Sequence, residues 1–361
     1  MSVRARIAST VRPEVQQIAR YHVPDARGLV KLDAMENPYP LPAQLAREMA
    51  DAVAHAELNR YPDAAAAVPR AALRDALALP DGVDVLLGNG SDELIQIIAS
   101  TVAHPNGAVL APDPSFVMYR RTALIANAPF LPVDLRADFS LDVDAMLDAI
   151  ERRRPSLVFI ANPNNPTGNA FTRDDLEHVI RAAPGLVVVD EAYYAFADES
   201  FLAHVLEHPN VVVLRTVSKI GMAGLRVGYV VGHPDWIAEF DKLRPPYNVG
   251  ALVQAALPVL LRHRDVFDAQ AATIRRERAR LSAALRDLRL EAFPSQANFV
   301  LVRVPDAAAA HAALRAARIL VKNLDGTHAL LANCLRITVG TPDENDALLD
   351  ALERHLRRAV K

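Results

Sequence analysis

Short apolar runs alternate with amphipathic stretches through the middle of the chain. The apolar runs predict strands at residues 84–87, 108–111, 130–133, 157–161, 186–189, 211–217 and 227–231. The stretches between most of them have helical periodicity, as at 142–153 and 173–182. Strands that alternate with helices are typical of a mostly parallel sheet covered by helices on both faces. The predicted fold class is therefore α/β.

The pattern changes toward both ends of the chain. Residues 1–42 are proline-rich and show little periodicity, and residues 43–58 then form an amphipathic helix. Beyond Pro245 and Pro246, a mostly helical stretch is followed by three short strands, and the last helix opens with a capping box from Thr341 to Glu344. We expect an arm at 1–42 that packs on the small domain, a large domain at 43–246, and a smaller α+β domain at 247–361.

Composition and charge exclude some classes of function and partner. The 361 residues are 51% hydrophobic and 23% charged, with a formal net charge of −3 and no long run of one sign. This balance argues against nucleic acid as the main partner. No stretch is apolar for long enough to span a bilayer, and the single cysteine, Cys334, allows no intrachain disulfide. We expect a soluble cytoplasmic protein with neither nucleic-acid nor membrane partners.

A lysine follows the most β-branched of the predicted strands. Ser218 and Lys219 come directly after the run 211–217. Ligands of open α/β sheets bind at the carboxyl ends of the strands, and a lysine there can form a Schiff base if burial or nearby cations lower its pKa. A solvated surface lysine would fit the same local pattern, so the neighbouring candidates decide between the two interpretations.

Three other turns carry candidate polar groups. The segment Gly-Asn-Gly-Ser-Asp-Glu at 88–93 joins a strand to a helix, where backbone N–H groups can hold a phosphate; a simple helix cap is the alternative. Asn165 lies in a turn rich in proline and asparagine and can present a carboxamide. Asp190 ends a strand, and a buried carboxylate there would need a cationic partner. Tyr193 follows three residues later.

Two arginines are candidates for anion binding. Arg226 lies a few residues beyond Lys219 and can pair with a phosphate or with a surface acid. Arg336 alternates with Leu335 and Ile337 along a predicted strand and therefore points away from their face. It is either solvent-facing or a bidentate clamp for a carboxylate or phosphate.

The order of these motifs along nearly the whole chain resembles that of the pyridoxal-phosphate aminotransferases of fold type I. The resemblance implies a pyridoxal 5'-phosphate cofactor and makes Lys219 the Schiff-base residue and catalytic base. Asp190 would pair with the pyridine nitrogen, and Asn165 and Tyr193 would bind the cofactor's phenolate oxygen. Phe116 would stack on the ring. The phosphate would be held by Gly90, Ser91, Asp92, Ser218 and Arg226.

Within that family, the chain looks most like the histidinol-phosphate aminotransferase branch. The motifs are Glu36-Asn37-Pro38-Tyr39, Arg60-Tyr61-Pro62 and the run 334–341. The resemblance implies amino transfer between L-histidinol phosphate and 2-oxoglutarate in histidine biosynthesis. It also implies a homodimer in which Tyr61 reaches the neighbouring subunit's cofactor phosphate. Substrate would be bound by Arg336, Asn37, Asn298 and Lys322.

Departures from the branch pattern keep other functions open. Asp33 and Met35 stand where many members carry asparagine, and Lys322 stands where an arginine is common. The alternatives are an aminotransferase of aromatic amino acids, a pyridoxal-phosphate decarboxylase of a phosphorylated amino acid, and a non-catalytic sensor on the same fold.

Overall fold

The structure is a computed structural model that describes residues 1–20 and 23–359. Tyr21 and His22 of the predicted arm, and Val360 and Lys361 at the end of the predicted small domain, lie outside the described residues. The strands are β1 (Val30–Leu32), β2 (Asp84–Asn89), β3 (Val109–Asp113), β4 (Phe130–Asp134), β5 (Leu157–Ala161), β6 (Leu186–Asp190), β7 (Val211–Thr216), β8 (Val227–Gly232), β9 (Glu291–Ala292), β10 (Phe299–Arg303), β11 (Ile319–Asn323) and β12 (Cys334–Thr338).

Thirteen α-helices accompany these strands in the described residues. They are α1 (Val3–Thr10), α2 (Pro13–Gln17), α3 (Ala43–Ala54), α4 (Ala67–Ala76), α5 (Ser91–Val102), α6 (Met118–Ile125), α7 (Val143–Arg153), α8 (Arg173–Ala182), α9 (Pro234–Asp241), α10 (Ala251–Arg262), α11 (Arg264–Asp287), α12 (Ala307–Ala316) and α13 (Pro342–Ala359). Among the described residues, none of these helices has the length and apolar character needed to cross a membrane.

The larger sheet has the strand order β2-β8-β7-β6-β5-β3-β4. Its strands run parallel except β8, which is antiparallel to both β2 and β7. Every residue of β5, β6 and β7 is buried, which explains why their sequences are continuous apolar runs. The predicted α/β fold with a mostly parallel central sheet is confirmed. Because β5, β6 and β7 are parallel neighbours, their carboxyl ends meet at one edge.

The smaller sheet has the order β1-β11-β12-β10-β9 and includes a strand from the start of the chain. β1 pairs in parallel with β11, with Val30 opposite Ile319. The sequence pattern did not predict β1, α1 or α2. The two short helices bury none of their residues, so no apolar face with helical period marks them. At the other end, Thr341 and Glu344 exchange hydrogen bonds with each other's backbone, forming the predicted capping box.

The predicted boundary at residue 246 stays a prediction, and the packing favours a later one. α10 follows residue 246 but packs on α3 and α4, and its Leu257 and Leu260 share a core with Leu45 and Leu73. α11 begins in the same core with Phe267 and continues into the core of the smaller sheet. We therefore propose that the two parts of the chain divide within α11.

Candidate active site

A cavity lies at the carboxyl edge of the larger sheet. It is lined by residues that follow β5, β6 and β7, by the start of α5, and by Met35 from the N-terminal segment. Nine of the predicted site residues line it: Ser91, Asp92, Phe116, Asn165, Asp190, Tyr193, Ser218, Lys219 and Arg226. Gly90, the N-cap of α5, lies directly before Ser91 and Asp92 in the chain. The predicted roles of these residues remain predictions, but their side chains share one cavity.

Asp190 is the last residue of β6 and is buried at the base of the cavity. Its Oδ2 accepts a hydrogen bond of 2.7 Å from the hydroxyl of Tyr119, and its Oδ1 accepts one of 3.1 Å from the Ala192 N–H. Burial raises the pKa of Asp190 to about 6, although both hydrogen bonds oppose the rise. A cation placed beside this carboxylate would restore its ordinary ionisation.

Lys219 lies three residues beyond β7, in an irregular helical turn from Ser218 to Met222. Gly221 has φ +126°, a conformation that favours glycine, and this lets the chain reverse beside the lysine. The Lys219 ammonium donates a hydrogen bond of 3.3 Å to the carbonyl of Ala34. Burial and the nearby Arg336 charge lower the pKa of Lys219 to about 8. Roughly a tenth of this lysine is therefore a neutral, nucleophilic amine at pH 7, a far larger fraction than for an ordinary lysine, and the neutral form predominates above about pH 8.

The rim at the start of α5 has the features of an anion site. Gly90 has φ +81°, and a Cβ built on it would lie 2.4 Å from Nη2 of Arg226. Arg226 is half exposed and lies 3.9 Å from the Asp92 carboxylate. Gly228 on β8 approaches the backbone of Ser91 so closely that a Cβ there would lie 2.4 Å from its nitrogen. Glycines therefore bring a guanidinium, a serine and a helix N-terminus together.

Arg336 reaches the cavity region from the smaller sheet. It is buried on β12, where Nη1 donates to Oδ1 of Asn165 and Nη2 donates a 2.9 Å hydrogen bond to the carbonyl of Asp33. Arg336 is therefore not a solvent-facing residue, and the interpretation as a clamp for a carboxylate or phosphate remains. Because Arg336 holds the oxygen of the Asn165 carboxamide, the nitrogen of that amide is the atom suited to donate to a ligand.

Asp33, Ala34 and Met35 form a segment, here called the 33–35 segment, that contributes Met35 to the cavity lining. Arg336 and Lys219 donate to its first two carbonyls. Thr338 Oγ1 accepts from the Met35 N–H at 3.0 Å, and Asn298 Nδ2 donates to the Met35 carbonyl at 2.9 Å. Met35 itself has φ +53°, an uncommon value for a residue with a side chain.

Besides Gly90 and Arg336, which adjoin the cavity, four predicted residues do not line it. Asn298 is fully buried and acts on Met35. Asn37 donates to the carbonyl of Ile220 and to Gln270, joining the N-terminal segment to the turn that carries Lys219 and to α11. Lys322 is the cross-strand partner of Arg336, so both side chains leave the same face of the smaller sheet.

The fourth residue, Tyr61, lies on the surface, where it is 80% exposed. Its ring stacks on that of Tyr247, with centroids 4.5 Å apart and an interplanar angle of 15°. It takes no part in the cavity of its own chain.

Several residues of the site are absent from the set predicted from the sequence. The most informative is Tyr119, because its hydroxyl binds the carboxylate of Asp190. The available signal was its position three residues after Phe116, within the predicted helix; in the structure Phe116 lies just before α6, and the two rings meet edge to face. Met35 and Thr216, which also line the cavity, had no local signal.

A wider and more open cleft lies elsewhere, between α8 and the segment 198–204, with a volume of about 770 Å³. Its lining includes Arg173, His204 and three acidic residues but no lysine. Among the described residues of this lining, no ionisable side chain is buried as Asp190 is. The smaller cavity is therefore the stronger candidate for chemistry.

The residues of the smaller cavity fit a pyridoxal-phosphate group. Asp190 needs a cationic partner to stay ionised while buried, and a protonated ring nitrogen would supply one. The aromatic ring of Phe116, the amine of Lys219 with its lowered pKa and the anion site at Arg226 match the ring, the aldehyde and the phosphate of that molecule.

Comparisons with known proteins agree with this fit. The family model described as aminotransferase class I and II matches residues 27–352. A histidinol-phosphate aminotransferase of Chromobacterium violaceum is 53% identical over 98% of this chain and 99% of its own. Histidinol-phosphate aminotransferase 1 of Ralstonia nicotianae is 52% identical over 96% of this chain and 94% of its own.

A solved structure extends the similarity to the fold. Histidinol-phosphate aminotransferase from Sinorhizobium meliloti, in complex with pyridoxal-5'-phosphate, has a TM-score of 0.87 and is 25% identical, covering 97% of this chain and 98% of that one. The matches span almost all of the chain, so they include both sheets and the cavity between them. The chain belongs to the class I and II aminotransferases and, within them, to the histidinol-phosphate aminotransferases.

Proposed function

We propose that the protein is a pyridoxal-phosphate-dependent aminotransferase of histidine biosynthesis. It interconverts L-histidinol phosphate and 2-oxoglutarate with imidazole-acetol phosphate and L-glutamate. The observation that carries the chemistry is the pairing, in one cavity, of a buried lysine with a lowered pKa and a buried aspartate with a raised one. The substrate is inferred from relatives that are 52–53% identical. A lone buried cysteine suits a reducing compartment, and we place the enzyme in the cytoplasm.

The bound cofactor supplies an electron sink for the negative charge that develops at the substrate's Cα. Lys219 would hold the cofactor's aldehyde carbon and would move the proton at the substrate's Cα as a general base and acid. Asp190 keeps a proton on the ring nitrogen, and Tyr193 and Asn165 hold the phenolate oxygen. Phe116 covers one ring face. The phosphate is held by Gly90, Ser91, Asp92, Ser218 and Arg226.

Arg336 serves both substrates in turn. Glutamate brings a carboxylate to this position, whereas histidinol phosphate has none and brings its phosphate; a planar guanidinium accepts either anion. Lys322 leaves the same sheet face as Arg336 and adds a second positive charge there. Asn37 and Asn298 act through backbone next to the cavity, since their amides bind the carbonyl of Ile220, beside Lys219, and that of Met35.

The protein acts as a homodimer with shared sites. Tyr61 lies outside the cavity of its own chain and projects into solvent, which supports a role in the neighbouring subunit's phosphate site. Mixing two inactive variants tests this idea. Lys219→Ala and Tyr61→Ala subunits, refolded together, should regain activity, because the mixed dimer has one site with an intact lysine and an intact tyrosine from the partner. Activity that stays at the level of the Tyr61→Ala homodimer would place this tyrosine's role within its own subunit.

A single-turnover absorbance experiment tests the reaction itself. Purified enzyme is mixed separately with histidinol phosphate, phenylalanine and glutamate, and the cofactor band is followed. Rapid conversion to the amino form with histidinol phosphate, reversed by 2-oxoglutarate, is expected. Response to aromatic amino acids alone would overturn the substrate, and carbon dioxide release without consumption of a keto acid would identify a decarboxylase.

A further inference from the structure

Tyr119 is a buried tyrosine beside the reaction centre with no role in the proposed mechanism. It lies in α6, and its hydroxyl donates a 2.7 Å hydrogen bond to Oδ2 of Asp190. Its ring stacks on Phe159 of β5, with centroids 4.5 Å apart and planes 2° from parallel, and it meets the edge of Phe116 at 5.6 Å. The hydroxyl is therefore held in place by packing on two sides.

The hydrogen bond affects where a proton resides between Asp190 and any basic ring nitrogen beside it. In a buried pair, the proton can stay on the nitrogen and leave both groups charged, or move to the carboxylate and leave both neutral. A donor to the carboxylate stabilises the charged arrangement. The neighbouring carboxylates of Asp92 and Glu191 act in the opposite direction, because their charges raise the pKa of Asp190.

Tyr119 is suited to be that donor. Burial and the adjacent Asp190 charge raise its own pKa well above the usual value, so the hydroxyl keeps its proton. The second oxygen of Asp190 is bound by the backbone of Ala192, which no side-chain substitution removes. Among the contacts of this carboxylate within the described part of the chain, the phenol is therefore the side-chain donor that a mutation can test.

We propose that Tyr119 is a positioning residue that holds Asp190 as an oriented carboxylate and thereby keeps the cofactor's ring nitrogen protonated. The inference rests on the proposed function only in requiring the pyridoxal-phosphate cofactor, and it holds whichever amino donor the enzyme prefers. It assigns the tuning of the ring to a residue on α6 that touches neither the substrate nor the ring nitrogen.

The test is Tyr119→Phe, which keeps the stacked ring and removes the hydroxyl. The holoenzyme is reconstituted with cofactor labelled with ¹⁵N in the ring, and the nitrogen chemical shift is recorded at neutral pH without substrate. The wild-type signal is expected near the protonated limit, and the variant signal is expected to move toward the unprotonated one. Cofactor affinity should also fall about tenfold, as expected for one hydrogen bond to a charged group.

Tyr229→Phe is the matched control, since Tyr229 is also a fully buried tyrosine but its hydroxyl does not line the cavity. It should leave the nitrogen signal unchanged. A cofactor methylated on the ring nitrogen, whose positive charge is fixed, should bring the transamination rate of Tyr119→Phe level with that of the wild type carrying the same analogue. A merely structural role would leave the variant defective with both cofactors.

Two results would overturn the proposal: equal nitrogen shifts in wild type and Tyr119→Phe, or a rate defect that persists with the methylated cofactor. If Tyr119→Phe fails to fold, a ring-fluorinated tyrosine at 119 replaces it. That residue keeps the shape and is a stronger donor, so the pH at which the ring nitrogen loses its proton, followed by the same nitrogen signal, should rise above the wild-type midpoint. An unchanged or lower midpoint would equally refute the idea. The nitrogen signals are recorded without substrate, so a wrong substrate assignment would leave them unchanged and would affect only the choice of amino donor for the rate comparison.

Discussion

The cavity has two walls that are built in different ways. On the large-sheet wall, Asp190 ends β6 and Lys219 lies three residues after β7, so adjacent parallel strands deliver both side chains to one edge. On the small-sheet wall, Arg336 and Asn298 act through the 33–35 segment, which lies more than 260 residues earlier in the chain. One wall is fixed by strand ends, and the other by contacts between distant parts of the chain.

This difference separates the groups that carry out the reaction from the groups that affect substrate binding. The large-sheet wall carries Asp190 and Lys219, whose pKa values are shifted, at the end of one hydrogen-bonded strand and just after the end of the next. The small-sheet wall holds the 33–35 segment by individual side-chain hydrogen bonds to its backbone. We therefore expect changes on the first wall to abolish the reaction or weaken cofactor binding, and changes on the second to affect substrate binding while the cofactor stays bound.

Replacing Lys219 should have the largest effect of any change on the large-sheet wall. Lys219→Ala should reduce transamination roughly 10⁴-fold or more, because the residue is both the covalent attachment and the proton carrier. The exposed Lys242→Ala, which loses only a surface ion pair with Glu239, is the control and should keep full activity. Near-normal turnover in Lys219→Ala would contradict the mechanism.

The same variant has a stability signature. The pKa of Lys219 is lowered to about 8 in the folded protein, whereas an unfolded lysine titrates near about 10.4. Below about pH 8 Lys219 is protonated in both the folded and the unfolded protein. Burial of its positive charge then lowers the free energy of unfolding of the wild type. Between these values the folded state has already lost the proton, so wild-type stability rises with pH. The cofactor-free variant should therefore melt above the wild type at pH 7, with a gap that narrows above pH 8.

Arg336→Ala breaks the small-sheet wall and is expected to have the next largest effect. Since both substrates place an anion at this arginine, kcat/KM should fall roughly 10²- to 10³-fold in each half-reaction. Arg303→Ala, an arginine of the same sheet paired with Glu291 at the surface, is the control. Loss of only one half-reaction would show that a single arginine does not serve both anions.

Arg336 also influences the opposite wall, because its charge helps to lower the pKa of Lys219. Cofactor attachment requires the neutral amine, so its rate in the cofactor-free protein should rise with a midpoint near pH 8. In Arg336→Ala this midpoint should move to higher pH. An unchanged midpoint would mean that burial alone sets the lysine's pKa.

The sequence predicted the large-sheet wall better than the small-sheet wall. The reason is again that strand ends fix the first wall and contacts between distant parts of the chain fix the second. Apolar runs in the sequence predicted β6 and β7, and therefore the strand ends near which Asp190 and Lys219 lie. Side-chain alternation also explains why the adjacent Glu191 points away and pairs with Arg215 at 2.7 Å. No local pattern could show that β1 pairs with β11, that Tyr119 binds Asp190, or that Asn298 holds Met35. Those contacts depend on how separate elements pack.

Gly90→Ala tests the rigidity of the large-sheet wall with one methyl group. The new Cβ would meet Arg226, and the φ of +81° would strain any residue but glycine, so cofactor affinity should fall about tenfold and stability by about 1 kcal/mol. Gly224→Ala is the matched control, because a Cβ at that position would have no neighbouring atom within 4 Å. Fluorescence titration of both cofactor-free variants measures the difference, and equal affinities would argue against the anion site at Arg226.

Asn298→Ala should have the smallest effect and reveals the most about the small-sheet wall. It removes the hydrogen bond to the Met35 carbonyl, which should cost about 1 kcal/mol of stability and raise KM a few-fold while cofactor affinity stays unchanged. Asn345→Ala is the control, since Asn345 is also fully buried and binds backbone, at Gly340, away from the cavity. It should lose similar stability without a change in KM. If both variants behave alike, Asn298 only supports the fold. If cofactor affinity falls in Asn298→Ala alone, the two walls are mechanically coupled through the 33–35 segment and the carbonyl of Ala34 that Lys219 contacts.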